Sequence, residues 1–232
     1  RSEPEWTTDL GWLSRPESKA PLRSSPKQQP SHDTYESWLR ALFPKHVAAG
    51  FADYHRELWD WVWALGADAA PAPFVAIWPR GGGKSTSVEL ACAAVAARKT
   101  RRYALYVSET QDQANQHVEN VASLFESGAF GDNYAHVSQR LIGKFGNQRG
   151  WRISRLRTAS GFTIDAIGLD KSARGIKVDD QRPDLIILDD IDDNEDTIAT
   201  IEKKLRTLTR RILPTRGDGC AFIAVQNLVH PD

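Results

Sequence analysis

Trp78-Pro79-Arg80-Gly81-Gly82-Gly83-Lys84-Ser85-Thr86 decides how this chain is read. It follows an apolar run, Phe74-Val75-Ala76-Ile77, that predicts a strand, and it leads into a run from Ser87 to Ala97 that predicts a helix. A strand, a glycine-rich turn closing on Lys-Ser and a helix together suit the phosphates of a nucleoside triphosphate. Gly81, Gly82 and Gly83 can take positive φ and turn backbone N–H groups toward an anion. The following helix adds its unpaired donors and the positive end of its dipole. Lys84 then supplies a charge for the outer phosphates, and the Ser85 hydroxyl a magnesium ligand. The first glycine of G-x-x-x-x-G-K-S falls on Trp78, so the pattern departs from its usual form. The competing reading is a flexible glycine-rich surface turn, against which the flanking strand and helix both count.

A second motif lies about a hundred residues further on. Leu185-Ile186-Ile187-Leu188-Asp189-Asp190 is an apolar run closing on two carboxylates. It reads as a central strand buried on both faces, and open α/β sheets bind their ligands at the carboxyl ends of such strands. Asp189 is then the candidate magnesium carboxylate and Asp190 the candidate base for an attacking water. An acidic pair can also begin a solvated loop or cap a helix. Asp192, Asp193, Glu195 and Asp196 continue the acids and suit the positive end of the next helix. One of them could replace Asp190 as the base.

Length and composition set the frame. The 232 residues fit one large α/β domain with an N-terminal extension. Lys plus Arg equals Asp plus Glu at 30 each, so any nucleic-acid contact must come from local patches rather than bulk charge. Cys92 and Cys220 sit in apolar runs and read as buried small side chains in a reducing interior. No apolar run approaches the roughly 20 residues that span a bilayer, and no signal peptide is visible. A soluble intracellular protein is expected. Methionine is absent even at position 1, which predicts a processed product or an excised piece of a longer protein.

Along the chain, residues 1–33 carry Pro4, Pro16, Pro21, Pro26 and Pro30 among polar residues and read as an irregular arm that Trp6, Trp12 and Leu13 could dock. Tyr54, Leu58, Trp61, Val62 and Leu65 recur at helical spacing. From Pro73 the expected order is strand 74–78, helix 85–98, strand 103–108, helix 110–126, a less regular stretch, paired strands 151–157 and 162–168, strand 184–188, a helical run near 193–213 and strand 220–225. Such alternation predicts a mostly parallel sheet with helices on both faces. Gln111 and Gln113 open the helix after the second strand, a position where nucleic-acid motors often have a helix with a polar start. They are candidate contacts, although packing fully explains the helix's stripe of Ala114, Val118, Val121 and Phe125.

The order of motifs resembles the ATPase domain of the large terminase of tailed bacteriophages, the motor that packages DNA into empty heads. The resemblance covers about residues 50–232. It rests on Tyr54-His55-Arg56-Glu57, on Arg80-Gly81-Gly82-Gly83-Lys84-Ser85-Thr86 and on the Ser108-Glu109-Thr110-Gln111 segment. It further rests on Ala173-Arg174-Gly175 ahead of Leu-Ile-Ile-Leu-Asp-Asp-Ile, and on Ala224-Val225-Gln226-Asn227. A phosphate loop with an arginine and no leading glycine is typical of that family. The resemblance implies a P-loop NTPase fold of the RecA-like (ASCE) kind over residues 51–232, behind an arm and helical extension over 1–50. It implies ATP and Mg2+ as ligands, bound by residues 80–86. Arg80 is implied as a γ-phosphate sensor and Arg174 as a finger offered to a neighbouring subunit. A finger of this kind is worth roughly 10³–10⁵ in rate, although Arg174 also reads as a surface arginine beside a turn glycine. Gln226 and Asn227 resemble the coupling motif, and Tyr54 and His55 could lie near the adenine.

The implied partners are double-stranded DNA, a homo-oligomeric ring on the portal of the procapsid, and a small terminase subunit, in the host cytoplasm and without a membrane. The family's C-terminal nuclease is absent from this sequence, so no DNA cleavage is expected of it. Two basic groups suit sequence-blind phosphate contacts: Arg140, Lys144, Arg149, Arg152, Arg155 and Arg157, then Lys203, Lys204, Arg206, Arg210, Arg211 and Arg216. Either could instead be a solvated face. Two rivals stay open. One is a helicase-like nucleic-acid-dependent ATPase, which would unwind a duplex. The other is an ATP-gated assembly protein, which would bind ATP without turnover.

Overall fold

The computed structural model describes residues 33–67, 70–142, 152–170, 180–193 and 195–227. The arm over 1–32, Lys144, Arg149, the Ala173-Arg174-Gly175 segment and the last five residues lie outside the described residues.

Among the described residues two helices precede the sheet. α1 (Tyr35–Leu42) starts where the Thr34 hydroxyl accepts the Ser37 N–H, and it buries Trp38, Leu39 and Leu42. α2 (Asp53–Ala64) buries Leu58, Trp59 and Val62. Then come β1 (Phe74–Trp78), α3 (Lys84–Arg98), β2 (Tyr103–Ser108), α4 (Gln111–Phe125), and two short helices, α5 (Gly128–Asn133) and α6 (Ala135–Ser138). β3 (Arg155–Arg157), β4 (Thr163–Gly168), β5 (Leu185–Asp189), α7 (Ile198–Thr207) and β6 (Ala221–Asn227) complete the order. The chain is α/β, and its described residues form one six-stranded sheet in the order β1-β6-β5-β2-β4-β3. Every pairing is parallel except β3 with β4, which run antiparallel through the Gly161 turn.

Alternation along the strands divides the interior. Ala76 and Trp78 of β1, Ala104 and Tyr106 of β2, Leu185 and Ile187 of β5, and Ile223 and Val225 of β6 face a core shared with α1 to α4. The Ala-rich α3 is buried along most of its length, because small side chains let it sit close to the sheet and its helical neighbours. Trp38, Leu39 and Phe43 join the same core, so residues 35–43 contribute to the α/β unit itself. On the opposite face Leu105, Val107, Ile186 and Ile212 form a smaller cluster. The central strand β5 is thus covered on both sides. Coverage is unequal at the edge, where Val75 and Ile77 of β1 are 69% and 62% exposed.

Several expected boundaries shift for physical reasons. The helical run near 193–213 is α-helix only over Ile198–Thr207, then π-helix over Leu208–Ile212 and a 3-10 turn over Leu213–Thr215, where Pro214 lacks the N–H that an α-helix needs. The acids ahead of α7 do not cap it: Thr197 does, accepting from the Thr200 N–H. Of the strand expected over 151–157, the described residues 152–157 form β-strand over Arg155–Arg157. Gly168 is where α4 begins against the sheet, and a Cβ there would lie 2.1 Å from the Gln111 nitrogen. Among the described residues no helix is long and apolar enough to cross a membrane.

Candidate functional site

The glycine turn and the paired carboxylates meet. Gly83 is the residue before α3 and takes φ 71°, and Gly81 takes φ 81°. Gly82 donates its N–H to the Pro79 carbonyl at 3.0 Å, and a Cβ on it would lie only 2.9 Å from that same oxygen. The turn therefore needs glycine for both torsion and space. Trp78, in the position where a leading glycine is usual, is buried against Tyr54 and His55, with ring centroids 4.8 and 5.2 Å away. The position is therefore filled by a packed aromatic side chain. His55 Nδ1 accepts the Ala52 N–H at 3.0 Å, so its Nε2 carries the proton and donates to the Gly82 carbonyl at 2.7 Å. His55 thereby ties the start of α2 to the turn. A cavity of about 420 Å³ opens between this turn and the Val47–Ala52 segment, lined also by Tyr54, His55 and Thr86.

Lys84 and Ser85 open α3, and the strand order sets β5 two strands from β1, with β6 between them. Lys84 Nζ donates to Asp190 Oδ2 at 2.7 Å, and Ser85 Oγ to Asp189 Oδ1 at 3.2 Å. Asp189 is fully buried on the α3 side of the sheet. Burial pushes its carboxyl pKa up, opposed by the charge of His117 and by hydrogen bonds from Tyr106 and Ser85. Asp190 follows the strand in the left-handed region at φ 46°. Its side chain also meets Asn227, whose N–H and Nδ2 lie 3.2 and 3.3 Å from Asp190 Oδ1. Gln226, beside it, closes the loop after β5: its Oε1 accepts the Ile191 N–H and its Nε2 donates to the Asp192 carbonyl. Arg80 and Thr86 flank the turn, Arg80 exposed and Thr86 half-buried. Arg174 lies outside the described residues.

Other sequence candidates have local duties. Gln111 bonds to the Ala166 carbonyl, the Gly168 N–H and Asn115, and Gln113 forms a capping box with Thr110. Asp196 and Glu109 are both taken by Lys204. Of the first basic group, Arg155 is paired with Asp165 and Arg140 with Glu126. In the second group Arg206, Arg210, Arg211 and Arg216 are exposed.

Three further residues converge on Asp189 that the motif reading did not select. Tyr106 donates its hydroxyl to Asp189 Oδ2 at 2.7 Å. His117 of α4 stacks on the Tyr106 ring at 4.9 Å, with its Nε2 3.6 Å from the same oxygen. Glu89 of α3 lies 2.8 Å from His117 Nδ1. Burial alone would lower the imidazole pKa; the Glu89 hydrogen bond and the charges of Asp189, Glu89 and Asp190 leave it raised. Glu89 was visible as the lone charged residue in the run from Ser87 to Ala97.

Among the described residues no group of three or more His, Cys, Asp or Glu is arranged to hold a metal ion. The Ser85–Asp189 pair is instead an all-oxygen donor set of the kind that suits magnesium, which takes one or two carboxylates and fills its shell with phosphates and water. Neither the family models nor the curated proteins against which the chain was compared give a match.

Proposed function

We propose that this chain is a magnesium-dependent ATPase with a P-loop NTPase fold, acting as the DNA-translocating motor domain of a phage large terminase. The observation that carries the ATPase reading is the double contact Lys84–Asp190 and Ser85–Asp189, which joins a glycine turn to the end of a buried central strand. The arrangement of β6 between β1 and β5 supports it, because it leaves the phosphate turn and the carboxylates opening on the same end of the sheet. The terminase assignment rests on the order of the sequence motifs, from Arg80 to Asn227.

In this reading Ser85 and Asp189 would hold a magnesium ion, which when bound would neutralise charge on the phosphate oxygens. Gly81 and Gly83 present backbone N–H groups to the phosphates, while the Gly82 N–H holds the turn closed on the Pro79 carbonyl. Lys84 transfers its charge from Asp190 to the outer phosphates. Asp190, released from Lys84, accepts a proton from the attacking water. Arg80 stabilises the spreading charge, and the resemblance alone adds Arg174 of a neighbouring copy. The cavity beside Tyr54 and His55 takes the base. Asn227, bonded to Asp190, carries the change onward to the end of β6, and DNA held through exposed arginines moves in a ring on the portal.

The test is ATP turnover with and without double-stranded DNA, in the chain and in Lys84→Ala. Turnover that rises with DNA and falls at least a hundredfold in the variant supports the motor. Undiminished turnover in Lys84→Ala would refute the site, and ATP binding with no turnover at any protein or DNA concentration would favour the assembly rival.

A further inference from the structure

Both oxygens of the Asp189 carboxylate are tied to α3, by two different routes. Oδ1 accepts directly from Ser85. Oδ2 accepts from Tyr106, whose ring lies 4.9 Å from and nearly parallel to that of His117, at 21°. His117 is held in turn by Glu89, whose Oε1 lies 2.8 Å from the ring nitrogen and also accepts from Asn120 Nδ2 at 2.8 Å. Ser85 and Glu89 are four residues apart, so they share one face of α3. The contacts close a loop: Ser85, Asp189, Tyr106, His117, Glu89 and back along one turn of helix.

At 3.6 Å the His117 Nε2 is beyond hydrogen-bond reach of Asp189. It acts on the carboxylate by fixing the plane of the Tyr106 ring on which it stacks. Filling this space with two carboxylates and an imidazole is expensive, since well-packed apolar residues would serve stability as well or better. What the polar set adds is direction. A carboxylate held only at Oδ1 can rotate about its terminal bond; held at Oδ2 as well, it keeps Oδ1 toward Ser85.

We propose that His117, braced by Glu89 and acting through Tyr106, is a positioning residue that orients Asp189 for metal-assisted nucleotide binding. The inference rests on reading Ser85 and Asp189 as the magnesium-holding pair. It is the usual logic of groups behind a metal ligand, whose loss costs about 10–100-fold in metal affinity.

The experiment is binding of a fluorescent ATP analogue to the full chain, titrated with Mg2+ and repeated in EDTA, with the melting temperature of each protein measured alongside. His117→Gln should raise the Mg2+ concentration for half-maximal enhancement by about tenfold, with a much smaller change in EDTA. Glu89→Ala should shift it the same way, and Glu89→Gln, whose amide oxygen still accepts from the imidazole, should shift it less. Tyr106→Phe, which removes one hydroxyl and keeps the ring, gives the second reading if His117→Gln does not fold. An unchanged Mg2+ requirement in folded His117→Gln or Tyr106→Phe would overturn the inference, as would equal losses with and without Mg2+. Nucleotide binding by the unsubstituted chain that ignores Mg2+ would instead overturn the assignment of Ser85 and Asp189.

Discussion

Lys84 Nζ lies 2.7 Å from Asp190 Oδ2, so the first residue of α3 and the residue just after β5 form an ion pair across the mouth of the glycine turn. Lys84 is nearly buried there, its side chain 10% exposed, while that of Asp190 is 33% exposed. A phosphate entering the turn must therefore compete with Asp190 for the ammonium. Asp190→Asn removes the competing charge and the candidate base together. The expected result is nucleotide binding tighter by about fivefold, equivalent to about 1 kcal/mol for a part-exposed pair. Turnover should fall by roughly 10²–10⁴-fold, the usual contribution of a general base. Equilibrium binding and steady-state hydrolysis on the same preparation check both halves. Weaker binding would mean that Asp190 does not hold Lys84 back.

Asn227 is the other partner of Asp190, through its backbone N–H and its Nδ2. In the proposed mechanism Lys84 turns to a phosphate; the Asn227 donors then still hold the Asp190 carboxylate, and the Asp190 N–H still donates to the Val225 carbonyl. Asn227→Ala keeps the backbone donor and loses the amide. We expect kcat to fall by about tenfold, close to one hydrogen bond to a charged group, with a smaller change in KM. Equal effects on kcat and KM, or an effect on KM alone, would assign Asn227 to nucleotide binding rather than to the hydrolytic step.

Much of this site was legible because its parts obey short-range rules. Gly81 to Ser85 announce a turn and a helix start through local torsion and charge, and Leu185–Leu188 announce a buried strand through four consecutive apolar residues. The meeting of the two follows from parallel α/β topology. Glu89, Tyr106 and His117 were not selected, because a histidine in a polar amphipathic helix and a tyrosine in an apolar strand each have an ordinary packing role. Only the strand order, which sets β2 beside β5 with α4 above them, makes them neighbours. The fate of the acids after Asp190 was also beyond local rules. Asp196 is drawn to Lys204, and Thr197 takes the capping position that charge alone had suggested for an acid.

A second polar knot holds the β3–β4 hairpin to the sheet. Asp165 accepts from the Tyr103 hydroxyl at 2.6 Å and from both Arg155 Nε and Arg155 Nη2. Asp165 and Tyr103 are buried, whereas the Arg155 side chain is 35% exposed. Asp165→Ala leaves the buried hydroxyl without this acceptor. The expected loss is about 2–3 kcal/mol, below the 3–5 kcal/mol of a fully buried pair because Arg155 can turn to solvent. Tyr103→Phe, losing one hydrogen bond, should cost about 1 kcal/mol. Urea unfolding measures both, and an Asp165→Ala cost no greater than that of Tyr103→Phe would mean that Arg155 contributes nothing to the knot.

The two cysteines offer a test of the core that needs no assumption about function. Cys92 is fully buried in α3 and Cys220 is 8% exposed just before β6. Burial pushes the Cys220 thiol pKa up from 9.0 to about 12, and that of Cys92 further up. The thiolate is the reactive form, so alkylation by iodoacetamide at pH 8 should be slow for both in the folded chain and fast in denaturant. The same shift predicts how stability depends on pH. Above pH 9 the unfolded chain releases the Cys220 proton while the folded chain keeps it, so the unfolded state binds fewer protons and the slope of stability with pH is negative. The contribution is complete below about pH 9 and lost as pH rises toward about 12. Tyr103 and Tyr106, whose hydroxyl pKa values burial also raises, lose stability in the same alkaline range. The Cys220 part is therefore read as a difference: Cys220→Ala should become less destabilising relative to the unsubstituted chain as pH climbs from 8 to 11. A constant gap between the two unfolding curves would mean that the Cys220 thiol is open to water.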